Sequence, residues 1–373
     1  MDDTYLRRRI GGILYDGQSY CLRHGDQKLL KMNGIGLDIW DLLEYPTTVA
    51  EMVTHLVASY EVDASLCRDA TVQFVDELER FGLVQRVAAP TDAERQRGRY
   101  LHLLKRTLTN LIYPENALRI TRLESGSFSD DRKARTTEMV QVRYTDAEAY
   151  ETCVRGLRLG SPALSSRSFP RTLIGLAGLD NIEFCAEQIF ADGIAGDFLE
   201  AGVWQGGASM MMRALQLAHR QEHRRVWLAD TFDGLPINTA EPDVRYGVDF
   251  SKSNYPVLVA PLRNVTDNFR DLGLLDENVR FLQGLFADTL PSADIGPLAL
   301  LRLDADLYSS TMDALNGLYH RVSPGGFVIV DDYGLLPGCR EAIDEFREAH
   351  GITDPMQWVN LSCVFWRKSE AAG

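Results

Sequence analysis

Along residues 196–334 the chain alternates short, continuous apolar runs with stretches in which apolar positions recur at helical spacing. Phe198 and Leu199 lead to Glu200, after which a turn bearing Gly202, Gly206 and Gly207 opens a helical pattern, ASMMMRAL. The run 225–229 ends at Asp230. The run 298–303 ends on Asp304 and Asp306, and 326–330 ends on the adjacent pair Asp331 and Asp332. Apolar runs of about 4–8 residues between helical segments are the pattern of strands buried on both faces. Residues 181–373 are therefore predicted to form an α/β domain with a doubly wound, mostly parallel sheet.

The first 90 residues follow another pattern. Short β-type runs over 10–30 are separated by Asp16-Gly17, a hairpin signal, and by His24-Gly25-Asp26, which predicts a three-stranded meander. Three helical patterns follow: 36–43 with Leu37, Trp40 and Leu43 on one face, 48–60 with Val49, Met52, Val53 and Leu56, and 64–81 with Leu66, Ala70, Phe74, Leu78 and Phe81. Gly82 ends the third, and 83–87 reads as a strand. Residues 1–90 are thus predicted to be a small α+β winged-helix-like domain. Ala88-Ala89-Pro90 and the polar stretch TDAERQRGRY mark a boundary. A helix over 100–113, with Leu101, Leu104, Leu108 and Leu111 on one stripe, is stopped by Pro114. From 124 to 168 no period survives, and a lid, a binding segment or disorder each fits such a stretch. Helical spacing returns over 180–190, so residues 91–180 are a linker, a helix and a lid or insert region.

Composition narrows the setting. The 373 residues are 45% apolar and 25% charged, with no apolar run near the ~20 residues of a bilayer span, so no membrane partner is expected. A formal net charge of −14 argues against a nucleic-acid partner, which needs a local Lys/Arg excess. The short basic cluster Arg7-Arg8-Arg9 is expected to be an exposed edge. Cys21, Cys67, Cys153, Cys185, Cys339 and Cys363 lack metal or disulfide spacing, and no apolar leader follows the N-terminus, so a cytoplasmic protein with reduced thiols is expected.

The strand ends carry the candidate chemistry. In an open parallel sheet they face one crevice, where Asp304, Asp306, Asp331 and Asp332 would repel one another unless a cation or proton lay between them. Hard oxygen donors of this kind suit Mg²⁺ or Ca²⁺. The glycines after Glu200 let backbone approach a ligand closely. Asp230 lies one βαβ unit later, where an acid accepts hydrogen bonds from a ribose diol. No Walker Lys-Ser/Thr follows and an acid heads the turn, so a cationic, phosphate-free nucleoside such as S-adenosylmethionine fits better than NAD. Residues 279–291 would flank its adenine, with Gly284 permitting close approach. Asp306 has two readings, a proton acceptor or the N-cap of the helix in LYSSTMDAL.

Two resemblances join these readings. NGIGLDIWDLL, TVAEMVTHL and FVDELERFGLV, within residues 10–87, resemble the PqqD-like family of precursor-peptide recognition elements. Its members bind a leader peptide as an added strand at the sheet edge, beside the third helix. An exposed edge strand is a template for such pairing. ADTFDGLP at 229–236, LRLDADLYSST at 301–311 and SPGGFVIVDDYG at 323–334 resemble the macrocin O-methyltransferase (TylF/MycF) family, as do LLKRTLTNLIY at 103–113 and GLDNIEFCAEQIFADGIAGDFLEAGVWQGG. This resemblance covers about residues 100–123 and 170–367. It implies a Rossmann-like class I methyltransferase sheet, S-adenosylmethionine as methyl donor, and Mg²⁺ beside a hydroxyl acceptor, typically on a sugar of a secondary metabolite. It further implies Asp304, Asp331 and Asp332 as metal carboxylates, the cofactor's amino-acid end near Glu200, Gly202, Thr172 and Gly175, and its ribose at Asp230. Asp304 or Asp306 is the expected proton acceptor. Arg171 stands where the family commonly has His, and the 124–168 insert is longer than the family implies. Together the resemblances imply O-methylation of a precursor peptide whose leader binds the N-terminal domain. The alternative is a sugar hydroxyl of a small natural product, with the N-terminal domain used for oligomerisation; a homo-oligomer is expected.

Overall fold

The computed structural model describes residues 3–7, 12–15, 20–24, 27–112, 170–236, 240–247, 249–250, 252–253, 255 and 258–369. The stretch 124–168, expected as a lid or insert, lies outside them. The chain divides into two compact units, Met1–His102 and Leu103–Gly373.

In the first unit β1 (Thr4–Arg7), β2 (Gly12–Tyr15), β3 (Tyr20–His24) and β4 (Gln27–Met32) precede α1 (Gly34–Leu42), β5 (Thr47–Thr48), α2 (Val49–Ser59), α3 (Ala64–Arg80) and β6 (Val84–Val87). The strands make two sheets, β2-β3-β4 and β5-β1-β6, both antiparallel. The meander follows the predicted pattern. Each helix starts on a side-chain cap: the Asn33 oxygen accepts from Gly36 N–H at 2.8 Å, Thr48 and Glu51 form a capping box, and Asp63 accepts from Ser65 and Leu66 N–H. Gly82, at φ +68°, releases α3, and Leu83 N–H reaches back to the Leu78 carbonyl at 2.9 Å. The core is Trp40, Leu43, Met52, Leu56, Leu78 and their neighbours.

One expectation is corrected here. Arg7 is not an exposed edge residue but is 5% exposed, with its guanidinium over the Trp40 ring and a hydrogen bond to the Trp40 carbonyl at 3.2 Å. Arg7 is carried inside by β1, whose register with β6 is set by residues some eighty positions away. Among the described residues β4 pairs on one side only, with β3. A groove of about 580 Å³ lined by Leu30, Met32, Ile35, Ile39, Leu66 and Phe74 adjoins it.

The division between units falls within α4 (Asp92–Leu108). The stretch TDAERQRGRY is therefore mostly helix rather than linker. Its start is a capping box in which Thr91 N–H and hydroxyl donate to Glu94 and Glu94 N–H returns to Thr91 Oγ1. The helix stops at Leu108, before Pro114, through Asn110 at φ +59°.

The second unit is built from α5 (Gly175–Ala191), β7 (Asp197–Ala201), α6 (Gly207–Ala218), β8 (Val226–Asp230), α7 (Glu241–Arg245), α8 (Leu262–Asp271), β9 (Val279–Gln283), α9 (Phe286–Thr289), β10 (Leu298–Leu303), α10 (Tyr308–Leu318), β11 (Val322–Val330), α11 (Pro337–Ala349), β12 (Gln357–Trp358) and β13 (Val364–Arg367). Its sheet has the order β12-β13-β11-β10-β7-β8-β9. β7 to β11 run parallel and β13 runs against them, the mostly parallel α/β sheet that the apolar runs predict. Every β10 residue is buried, as both covered faces of a central parallel strand require. Strand order reverses between β7 and β10, which opens a crevice at their carboxyl ends. Among the described residues no helix is long and apolar enough to cross a membrane.

Candidate active site

The strand ends are locked in register. Asp304 N–H donates to the Ala201 carbonyl (2.8 Å), Asp331 N–H to Leu303 (2.9 Å), Gly202 N–H to Ala229 (2.9 Å) and Gly284 N–H to Asp230 (2.9 Å). Gly202, at φ +89°, lies so close to the next turn that a Cβ there would overlap the Asp304 carbonyl oxygen. No other residue fits that position. A few residues on, Gly207 N–H donates to the Arg171 carbonyl at 2.8 Å, and a Cβ at Gly207 would lie 2.6 Å from that of Thr172. Thr172 thus stands beside the glycine turn, and Gly175 opens α5 three residues later at φ +65°.

Arg302, on β10, is 1% exposed and organises the acids around it. Its Nη1 donates to Glu200 Oε1 at 2.7 Å and to Asp304 Oδ2 at 2.8 Å, and its Nη2 is ion-paired with Asp331 Oδ1 at 2.8 Å. Burial would lower the guanidinium, but Asp304, Asp331 and Glu200 together raise it well above its ordinary value. Glu200 is wholly buried between Arg302 and the Ser209 hydroxyl, and its burial raises it to about 7 against their opposing pull. Its carboxylate therefore holds the glycine turn and β10 together rather than facing the open crevice. Asp331 rises to about 6, first through burial and then through repulsion from Asp304.

Asp304, Asp306 and Asp332 bring carboxylate oxygens within 4.8 Å of one another. Of the three metal residues implied by resemblance, Asp304 and Asp332 stand in this group, and Asp331 turns to Arg302. Asp306 and Asp332 are pushed well above the usual carboxylate range, by burial first and then by the neighbouring acids. Asp332 is 7% exposed, and its buried Oδ2 has no hydrogen-bond partner among the described residues. An orphaned acceptor amid like charges is relieved by a cation or by a proton.

Asp306 is not the cap of α10. It sits at φ +57°, inside a turn closed by Leu307 N–H and the Ala305 carbonyl, and Leu307 provides no side-chain cap. The first amides of α10 are satisfied instead by Asp243, from α7. Asp230 is also more occupied than the ribose reading requires. Its Oδ2 accepts from Val203 N–H (2.6 Å) and Trp204 N–H (3.3 Å), and its Oδ1 from Phe232 N–H (2.8 Å). Burial raises it, with those amides opposing. Gly284 follows β9, close to the edge-to-face pair Phe232 and Phe281. Tyr333 donates to Asp344 at 2.9 Å and packs edge-on against Trp358. Sequence reasoning missed Arg302, Ser209 and Asp243. Arg302 alone had a signal, a lone cation inside an apolar strand.

Two substitutions test this arrangement. Gly202→Ala is expected to displace Asp304 and to lower stability by more than about 1 kcal/mol, because both its φ and its space are incompatible with a side chain; chemical denaturation measures it. Arg302→Met leaves three acids without their shared cation and is expected to lower stability by about 3–5 kcal/mol, with Glu200→Gln in the same chain recovering part of the loss in thermal melts.

The family described as Macrocin-O-methyltransferase (TylF) matches residues 97–368, and the one described as Coenzyme PQQ synthesis protein D (PqqD) matches residues 13–84. The 8-demethyl-8-(2,3-dimethoxy-alpha-L-rhamnosyl)-tetracenomycin-C 4'-O-methyltransferase of Streptomyces olivaceus is 42% identical over 285 residues, 75% of this chain and 96% of the relative. The Mycinamicin III 3''-O-methyltransferase of Micromonospora griseorubida is 38% identical over 272 residues, 72% of this chain and 96% of the relative. The solved structure of the O-methyltransferase NovP superposes with a TM-score of 0.58 at 32% identity, covering 74% of this chain and 100% of that one. The matched region contains the whole seven-stranded sheet and the acidic strand ends. The chain belongs to the macrocin O-methyltransferase (TylF) family and is an S-adenosylmethionine-dependent O-methyltransferase.

Proposed function

We propose that the chain is an S-adenosylmethionine- and Mg²⁺-dependent O-methyltransferase whose acceptor is a sugar hydroxyl of a small-molecule natural product. The carrying observation is the group formed by Asp304, Asp306 and Asp332, with its unpartnered Asp332 oxygen, at the strand reversal. Carboxylate oxygens in this number fit a hard divalent cation. Asp304 and Asp332 would hold it, with Asp331 as the third ligand that the family resemblance implies. Gly202, Thr172, Gly175, Asp230 and Gly284 would line the place for the methyl donor, with Glu200 bracing the glycine turn from behind. When bound, these groups supply a methyl on sulfonium and Lewis-acid stabilisation of an oxygen losing its proton. The chain's own part is placement and proton transfer. Arg302 holds Asp304 and Asp331 at fixed positions, and the glycine turn keeps side chains out of the crevice. Asp306, raised toward neutrality and uncommitted to the helix, accepts the hydroxyl proton. Relatives named for methylating a rhamnosyl-bearing tetracenomycin and mycinamicin III support a glycosylated acceptor.

A specific feature of the first unit favours a second reading, in which the acceptor belongs to a ribosomally made precursor peptide. The groove beside β4 is apolar, its edge is unpaired among the described residues, and the PqqD match covers both. A leader would add as a strand to β4 and place alternate apolar side chains against Ile35, Leu66 and Phe74.

Removing Mg²⁺ with EDTA is expected to abolish methyl transfer to a glycosylated acceptor, and added Mg²⁺ to restore it. Asp306→Asn is expected to lose about 10²–10⁴ in turnover while keeping Mg²⁺ affinity in calorimetry; a collapse of that affinity would make Asp306 a ligand instead. For the second reading, a labelled precursor peptide should bind the full chain saturably and lose binding in Phe74→Glu. A chain that binds no precursor peptide encoded beside its gene leaves the sugar reading standing alone.

A further inference from the structure

The five-residue helix α7 joins the two elements that follow the carboxylate-bearing strands. On one side lies α10, just after Asp304 and Asp306. There Asp243, 3% exposed, accepts from Tyr308 N–H at 2.7 Å through Oδ1, and from Ser309 N–H at 3.2 Å and Ser309 Oγ–H at 2.9 Å through Oδ2. On the other side lies α11, just after Asp331 and Asp332. Arg245 donates to the two Glu341 oxygens at 2.7 and 2.5 Å, and Tyr246 Oη donates to Glu341 Oε2 at 2.7 Å. Gly338, in the first turn of α11, keeps this junction tight: a Cβ there would lie 3.3 Å from Asp243 Oδ1 and 3.4 Å from Tyr308 N.

α10 therefore takes its cap from a loop helix and not from the residues that lead into it. The unpaired amides at a helix start demand an acceptor, and an aspartate just before them is the usual source. Asp306 is the aspartate in that neighbourhood. Were it recruited as the cap, its carboxylate would be lost to the acidic group. The borrowed cap removes that competition, and Asp306 can keep its left-handed backbone and face Asp304 and Asp332.

Resting on the metal-dependent reading above, we infer that Asp243 is a positioning residue for the metal site. Capping α10 from Asp243 fixes the turn that carries Asp304, and with Arg245 and Tyr246 grasping α11 the small helix sets the spacing between Asp304 and Asp332, the two carboxylates that would hold the ion, while Asp306 stays free for its proton-accepting role. The test is calorimetry on the full chain, titrating Mg²⁺ in the presence of S-adenosylhomocysteine. Absence of Mg²⁺ binding by the unaltered chain overturns the metal reading and this inference together. With binding established, Asp243→Ala should weaken Mg²⁺ by about tenfold or more while S-adenosylhomocysteine affinity stays within about twofold. Asp243→Asn keeps an oxygen acceptor for Tyr308 N–H and should recover most of the loss. Should Asp243→Ala fail to fold, the double variant Arg245→Ala, Tyr246→Phe spares the cap and should itself weaken Mg²⁺ by about threefold or more. Unchanged Mg²⁺ affinity in whichever variant is folded overturns the inference and leaves the metal reading intact. So does a parallel loss of both ligands, which would report a general loosening of the fold.

Discussion

A guanidinium buried under three carboxylates is the interaction on which the catalytic unit turns. Parallel strands deliver their last side chains to one edge, and here β7, β10 and β11 each deliver acid to it. Without an internal cation those ends would repel. Arg302 sits on the middle strand of the three and is ion-paired with Glu200, Asp304 and Asp331 at once. Buried ion pairs add little net stability, because desolvation consumes most of the attraction. What such a pair supplies is position. Arg302 fixes three acids and leaves Asp306 and Asp332 unmatched, so the negative charge that remains is confined to one spot.

Backbone strain gathers at the same edge. Five described residues other than glycine have left-handed φ, and three of them, Trp204, Phe232 and Asp306, follow β7, β8 and β10. Strained residues persist only where their surroundings overdetermine them. Here the surroundings are hydrogen bonds: Asp230 holds the amides of Trp204 and Phe232, and the borrowed cap of α10 holds the turn after Asp306. An acid that looked ready for a ribose is thus also a brace for the turn that would cradle one.

The sheet and most of the site were legible because parallel strands buried on both faces read as unbroken apolar runs, and the residue that interrupts each run marks its carboxyl end. Glu200, Asp230, Asp304 and Asp331 were found that way. Arg302 was passed over although it breaks the same rule, a charge inside a run that can only be tolerated with partners. Asp243 had no local signal, since its partners on α10 lie more than sixty residues away and depend on tertiary approach. β1 was missed for a like reason: its four residues form no pattern of their own and are strand only by pairing with β5 and β6. The start of α4 was readable as Thr91 and Glu94, but polar first turns carry no apolar stripe and so resemble linker. Which carboxylates share space, and which face Arg302, is a matter of side-chain direction that spacing along the chain does not encode.

The side of β4 that pairs with no described strand has a consequence for how copies of this chain coexist at high concentration. A strand edge beside an apolar groove is a template for any extended segment, including that of a second copy, and open edges of this kind are where native proteins begin to aggregate. Two features oppose that outcome. Lys31 lies on β4, where a cation penalises edge-to-edge pairing with its own duplicate. The chain's net charge of −14 also makes every close encounter between copies repulsive at modest ionic strength. Solubility is then salt-dependent: the edge stays open to an occasional guest because the bulk of the protein keeps its own kind at a distance.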